Sequence, residues 1–240
     1  MRKVLSTVAA AMLVGATTLS AQNVTDEAAY LAIESSPLGS LPARLSAPMM
    51  SQSANKMTLA VQYGFLGLDA DQAINNFGAQ IETAWHGSRV GFTFGYASPS
   101  CPGGTCDGYI QAGANWGRRL TSVVTGQGAD AARLNIGMEG DVNYGKPTDA
   151  TALAASFGLP IAFVPNTRGV QVVPFLTPRY AVGQYHVKGG TGDTGSELML
   201  GGGFAINGLM EQIGLNFGFQ KVFVQGAYTQ YGVGITWRQK

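Results

Sequence analysis

The sequence predicts an all-β fold, an antiparallel up-and-down barrel of about ten strands (between eight and twelve), and three observations carry that prediction. From Met57 to Trp237, apolar and polar residues alternate with period two, which puts them on opposite faces of a strand. The alternating stretches are punctuated by turn residues, as in His86-Gly87-Ser88 and Asn207-Gly208. Charged residues form only 12% of the 240-residue chain, half of the ~25% usual in soluble proteins. A soluble surface is hard to cover with so few charges, whereas a wall facing lipid needs none.

The chain divides into three parts. Arg2 and Lys3 precede an uncharged run from Val4 to Leu19, and Leu19-Ser20-Ala21 ends in a small residue. This pattern predicts a signal peptide over residues 1–21, cleaved near Ala21. Gln22, not Cys, follows, so the usual bacterial lipid attachment at a post-cleavage Cys is not expected. Residues 22–56 mix Ser, Ala, Pro and a few charges, with a short helical pattern near Asp26–Ile33, and are expected to form a periplasmic tail or linker. Residues 57–240 are expected to form the barrel. No second apolar run of ~18 residues exists for a helical span.

Within the barrel, Leu134, Ile136, Met138, Val142 and Tyr144 share one face, and Arg133, Asn135, Glu139, Asp141 and Asn143 the other. The same alternation sets Val90, Phe92, Phe94 and Tyr96 against Arg89, Gly91, Thr93 and Gly95. It sets Ile110, Ala112, Ala114 and Trp116 against Gln111, Gly113 and Asn115, and Ile213, Leu215, Phe217 and Phe219 against Gly214, Asn216 and Gly218. The last strand sets Tyr231, Val233, Ile235 and Trp237 against Gln230, Gly232, Gly234 and Thr236. Further strands are expected within 57–66, 79–85, 152–164, 170–186 and 197–206. Pro160, Pro174 and Pro178 weaken two of these and mark bulges or strand ends, because proline cannot donate to a ladder. Short connections after the second, sixth and eighth strands, and longer ones after the first, third and seventh, match short periplasmic turns and longer outer loops. The stretch 118–131 is too long for a periplasmic turn unless its flanking strands run beyond the membrane.

Period two does not say which face is inside, since a soluble ligand-binding cup points its apolar face inward. Two features favour the opposite arrangement. The polar face is rich in Gly, Asn, Gln, Ser and Thr with few charges, as suits a crowded interior. Trp85, Tyr96, Trp116, Tyr144, Tyr231 and Trp237 lie towards strand ends on the apolar face, where aromatic girdles meet the membrane interfaces. The predicted location is therefore a bacterial outer membrane.

The leader, the strand–turn rhythm and the final strand Tyr-Gly-Val-Gly-Ile-Thr-Trp (231–237) resemble the small outer-membrane β-barrel superfamily of porin-like and surface-antigen-like barrels. The resemblance covers about 57–237, rests on pattern and carries no family-specific motif. It implies outer-membrane lipid and the outer-membrane assembly machinery as partners. Such barrels usually end on an aromatic residue, whereas Arg238-Gln239-Lys240 follow Trp237 here.

The alternation sends Glu82, Arg133, Glu139, Asp141, Arg179 and Glu197 into the lumen. Lone buried charges are strongly disfavoured, so these groups must pair. Two readings follow: a closed, side-chain-filled barrel with a structural, adhesive or receptor role acting through its outer loops, or a narrow passive channel for small solutes or ions lined by the same groups. Ten strands lie near the filled end of the range. A soluble lipocalin-like binder and an outer-membrane lipid hydrolase are the remaining alternatives.

Cys101 and Cys106, in Cys-Pro-Gly-Gly-Thr-Cys, are expected to form a small disulfide loop after export. No metal site or cofactor is expected, because no second ligand pair accompanies them. An enzyme is not expected: His86 and Ser88 share a turn without a third partner, and Gly190–Gly195 matches Gly-x-Gly-x-x-Gly in an outer loop rather than between strand and helix. A net charge of +1 without basic runs argues against nucleic acid.

Overall fold

The computed structural model describes residues 57–67, 73–101, 104–105, 107–126, 131–166, 169–190, 192–210, 212–223 and 229–239. The expected signal peptide (1–21) and tail (22–56) lie outside the described residues, as does Cys106.

The described chain is built of strands: β1 (Met57–Gly67), β2 (Ala73–Trp85), β3 (Ser88–Cys101), β4 (Gly104–Thr105), β5 (Tyr109–Thr125), β6 (Ala132–Lys146), β7 (Ala150–Gly158), β8 (Ile161–Pro165), β9 (Gln171–Val187), β10 (Gly192–Met210), β11 (Ile213–Val222) and β12 (Thr229–Arg238). β4 is a two-residue hairpin partner of β3 and stands off the wall. β7 and β8 together fill one place, since both pair with β6 and with β9. The wall therefore has ten strands, each antiparallel to its neighbours. β12 returns to pair with β1 from Thr58↔Arg238 to Gly67↔Thr229, which closes the barrel. Closure gives each of the ten wall positions a neighbour on both sides, so that no wall strand is left unpaired along a whole flank as in an open sheet.

The expected strands are all present, and most are longer than the alternation indicated. Within the stretch 118–131, residues 118–125 are strand extension: β5 continues to Thr125 and pairs with β6 out to Thr125↔Ala132. The prolines gather where a ladder is interrupted. Leu159-Pro160 separates β7 from β8, and Pro174 and Pro178 lie in β9 on either side of its two pairs with β8, Ile161↔Leu176 and Ala162↔Phe175. The carbonyls of Pro160 and Pro178 still accept bonds, from the amides of Gly137 (2.8 Å) and Leu159 (3.0 Å).

Loop lengths correct one expectation. The segment 188–195 is not an outer loop over its whole length, because Gly192–Gly195 belong to β10 and pair with Gly183–His186. The glycine pattern there reflects a hairpin in which backbone pairing continues almost to the tip. The contrast between long and short connections is accordingly weaker than the sequence suggested. The turn between β2 and β3 is as short as expected: His86 and Gly87 both have positive φ (46° and 75°), the geometry of a two-residue hairpin turn.

Candidate functional site

Burial settles which face is inside. Along β1, β2, β9 and β12, alternate residues are buried and exposed, and the buried face carries the polar and charged side chains Thr58, Gln62, Asn76, Gln80, Glu82, Thr177, Arg179, Gln230 and Thr236 together with small and some apolar residues. Gln62, Gln80, Glu82, Gln111, Asn115, Glu139, Asp141, Arg179, Glu197, Asn216 and Gln230 are buried, whereas Phe92, Phe94, Ile110, Val142, Tyr231 and Ile235 are exposed. Strand alternation has been used to turn a soluble protein's pattern inside out. The chain has the architecture of a transmembrane β-barrel. Among the described residues, no helix is long and apolar enough to cross a membrane.

The expected girdle aromatics fall into two levels. Trp85, Trp116 and Trp237 lie towards the end where β1 begins and β12 finishes; Tyr96, Tyr144 and Tyr231 lie towards the other end. Trp85, Tyr96, Tyr144, Tyr231 and Trp237 are exposed, and Trp116 is half-buried. Tyr231 and Trp237 lie six positions apart in β12, about 20 Å of strand, in keeping with an apolar band ~25 Å tall.

The lumen holds two ionic networks on adjoining parts of the wall. In the first, β2 and β5 supply Gln80, Glu82 and Asn115. The Gln80 Nε2 donates to Glu82 Oε1 (2.6 Å) and to Asn115 Oδ1 (3.1 Å), and Asn115 Nδ2 donates to the same Glu82 oxygen (2.9 Å). Gln62 Nε2 extends the chain to Gln80 Oε1 (3.0 Å). Arg89, at the start of β3, pairs with Glu82 Oε2 (3.4 Å) and donates to Thr58 Oγ1 (2.6 Å). The second network joins β6, β7 and β9. The guanidinium of Arg179 bonds Glu139 and lies 4.0 Å from Asp141, whose oxygens also accept from Asn143 (2.8 Å) and Ser156 (2.7 Å). Each charge thereby has counter-charge or donors, as low-dielectric burial demands.

Five of the six predicted lumen charges are buried: Glu82 2%, Glu139 1%, Asp141 5%, Arg179 3% and Glu197 1% exposed. Arg133 is the exception and is exposed. It pairs with Val124 and with Val164 on the part of β6 that runs beyond the start of β3, where β5 has no described strand on its other flank; Val164 is buried while Arg133 and Val124 are exposed.

The sequence did not single out two arginines and a set of apolar lumen residues. Arg89 shares the parity of Gly91 and Thr93, which would have placed it inside. Arg238 sits opposite Thr58, where its guanidinium bonds Asn207. Leu66, Ile74 and Ala97 form a buried cluster towards the tyrosine end, with Tyr109 packed against it. Ala162, Val164, Val173, Phe175 and Ala205 form another towards the tryptophan end, and Ala154, Ala181 and Met199 a third between β7, β9 and β10. The inward face thus carries both polar networks and apolar clusters.

His86 is exposed in its turn with its ring edge-on to Trp85 (5.3 Å between centroids), whereas Ser88 is buried. Among the described residues, no group of three or more His, Cys, Asp and Glu could hold a metal ion.

No family model matches the chain, and no curated protein matches its sequence. Solved structures of similar type include Ail, the attachment invasion locus protein of Yersinia pestis (9% identity, 76% of this chain and 95% of that one, TM-score 0.34). The β domain of the Bordetella autotransporter BrkA gives 13% identity over 78% of this chain and 100% of that one, TM-score 0.42. The translocator domain of the autotransporter NalP from Neisseria meningitidis gives 11%, 80%, 91% and 0.33 in the same order.

Proposed function

We propose that the protein is an integral β-barrel of a bacterial outer membrane whose lumen is closed by its own side chains, and that it acts as a membrane-anchored scaffold through its ends rather than as a channel. The observation that supports this reading most directly is the burial of Glu82, Glu139, Asp141, Arg179 and Glu197. A water-filled pore leaves its lining open to water, whereas these five side chains have almost no contact with solvent and share the lumen with apolar clusters. Small barrels are generally filled in this way, while wide aqueous channels need roughly 16–18 strands. Outer-membrane lipid is the partner of the apolar exterior, with the tryptophan and tyrosine levels at its two interfaces.

Planar-bilayer recording of the refolded mature protein tests the closed lumen, with heat-dependent gel mobility first confirming a folded barrel. The expected result is an inserted barrel without discrete conductance steps. Steps whose ion selectivity changes on replacing Glu139 by Gln and Asp141 by Asn would replace this reading with a narrow channel.

A further inference from the structure

Among the described residues, β5 is one place where the closed wall opens. Its last pair with β3 is Arg89↔Gly117, yet it runs on to Thr125 with β6 on its other side. Over Arg118–Thr125 no described strand occupies the flank that β3 has left, and every one of these residues is exposed. A register shift between Arg119 and Thr121 interrupts the ladder at the base of this edge. Thr121–Thr125 beyond it carry neither charge nor proline, and Val123 and Val124 are exposed apolar residues. Natural edges are usually blunted by charge, proline or a bulge. Here those devices stop at the base, and the outer part is a template for one more strand.

A second copy does not fit, an argument that rests on the membrane-barrel reading above. Antiparallel pairing of two β5 edges requires a dyad normal to the sheet, and that dyad would turn one barrel upside down relative to the membrane. The occupant has to come from the same side. β1 starts on that side: Met57 lies opposite Thr83, which lies opposite Val90, which lies opposite Trp116. The chain preceding Met57 therefore enters the barrel at the level where the edge begins, three strands or about 15 Å away around the wall.

That preceding chain has matching chemistry. Between Gln22 and Ala43 it carries Asp26, Glu27 and Glu34 and no lysine or arginine, and the run Ala-Ala-Tyr-Leu-Ala-Ile (28–33) lies between the acids. Laid along the edge in either direction, it brings an acidic end to Arg118 and Arg119: Asp26-Glu27 if parallel, Glu34 if antiparallel. A coil as long as the stretch from Glu34 to Met57 spans ~25 Å, enough for this reach, and such a tether supplies an effective concentration on the order of millimolar. We propose that Asp26–Glu34 of this chain, in spite of its short helical pattern, adds as a further strand to the free edge of β5 over Arg118–Thr125, the open edge overriding the local preference.

Hydrogen exchange of the full mature protein in lipid nanodiscs, read by mass spectrometry, tests this. Peptides covering 119–125 should exchange at least ~10-fold more slowly in the parent than in the R118E/R119E variant, since a paired edge loses its open amides. Adding D26K, E27K and E34K to that variant should restore slow exchange, which an unrelated partner would not do. Fast exchange in the parent, equally slow exchange in parent and variant, or no recovery in the charge swap would each overturn the proposal. A heat-modifiable gel band separates the two readings: with the band present, fast exchange counts against the added strand alone, and a chain that never inserts overturns both.

Discussion

Arg179 is where one half of the lumen's charge balance is decided. It faces Glu139 and Asp141 with almost no access to water, so removing it leaves two buried carboxylates without their cation. Such a loss typically costs ~3–5 kcal/mol. Arg179→Met is expected to lower the urea midpoint of the refolded barrel by a corresponding amount, and adding Glu139→Gln and Asp141→Asn to recover most of it. Arg133→Ala, at an exposed position, should stay within ~0.5 kcal/mol of the parent. Equal effects at the two arginines would sink the assignment of one to the lumen and the other to the projecting end. The contrast also shows the limit of parity. Arg133 and Glu139 lie on the same side of one strand, and sequence alternation cannot say where the neighbouring strand ends. Arg89 was legible by the same parity. Arg238 was not, because it follows the last aromatic and looks like tail.

The strands themselves were legible because each needs only a two-residue period and a turn, both local properties. What the period could not supply was non-local: the bulge between Arg119 and Thr121, the division of one wall position into β7 and β8, and the inward apolar clusters. Leu66 and Phe175 are residues of ordinary core type, and only the closed wall reveals that they are buried on the same inward face as the polar networks. Glycine spacing was similarly ambiguous. Gly64, Gly232, Gly218 and Gly203 lie opposite one another across β1, β12, β11 and β10. At Gly203 an added methyl would run into the carbonyl oxygen of Phe217 and come within 2.7 Å of the Gly218 Cα, so the strand could accept it only by moving backbone. At Gly140 the nearest atom to an added methyl is the Ser156 carbonyl oxygen at 3.5 Å, an ordinary contact. Gly203→Ala is therefore expected to cost at least ~1–3 kcal/mol, the usual range for overpacking, and to reduce the yield of heat-modifiable barrel. Gly140→Ala should fold like the parent. Indistinguishable refolding of the two would mean that β10 and β11 approach less closely than the pairing indicates.

For the whole molecule, stability rests on closing β12 against β1, and the residues after the final aromatic take part in that closure. The Arg238 amide donates to the Gln212 carbonyl (2.9 Å), its guanidinium bonds the Asn207 side chain, and the Gln239 amide donates to the Met57 carbonyl (3.0 Å). Trp237 is itself held by its indole N–H on Gln212 Oε1 (2.9 Å). Ending the chain at Trp237 would give the aromatic terminus usual in the barrels it resembles, but it would remove one backbone bond from the β12–β1 seam and one from the β11 side of β12, and leave buried Asn207 without its guanidinium. A backbone bond contributes ~1 kcal/mol net, and an abandoned buried partner costs ~1–3 kcal/mol. Truncation after Trp237 should therefore lower the temperature at which the folded gel band is lost, whatever it does to assembly in cells. Arg238→Ala with Gln239 and Lys240 retained should produce only the part of the loss that belongs to the guanidinium. If the truncated chain is as heat-resistant as the parent, the seam is complete at Trp237 and the last three residues serve some end other than closure.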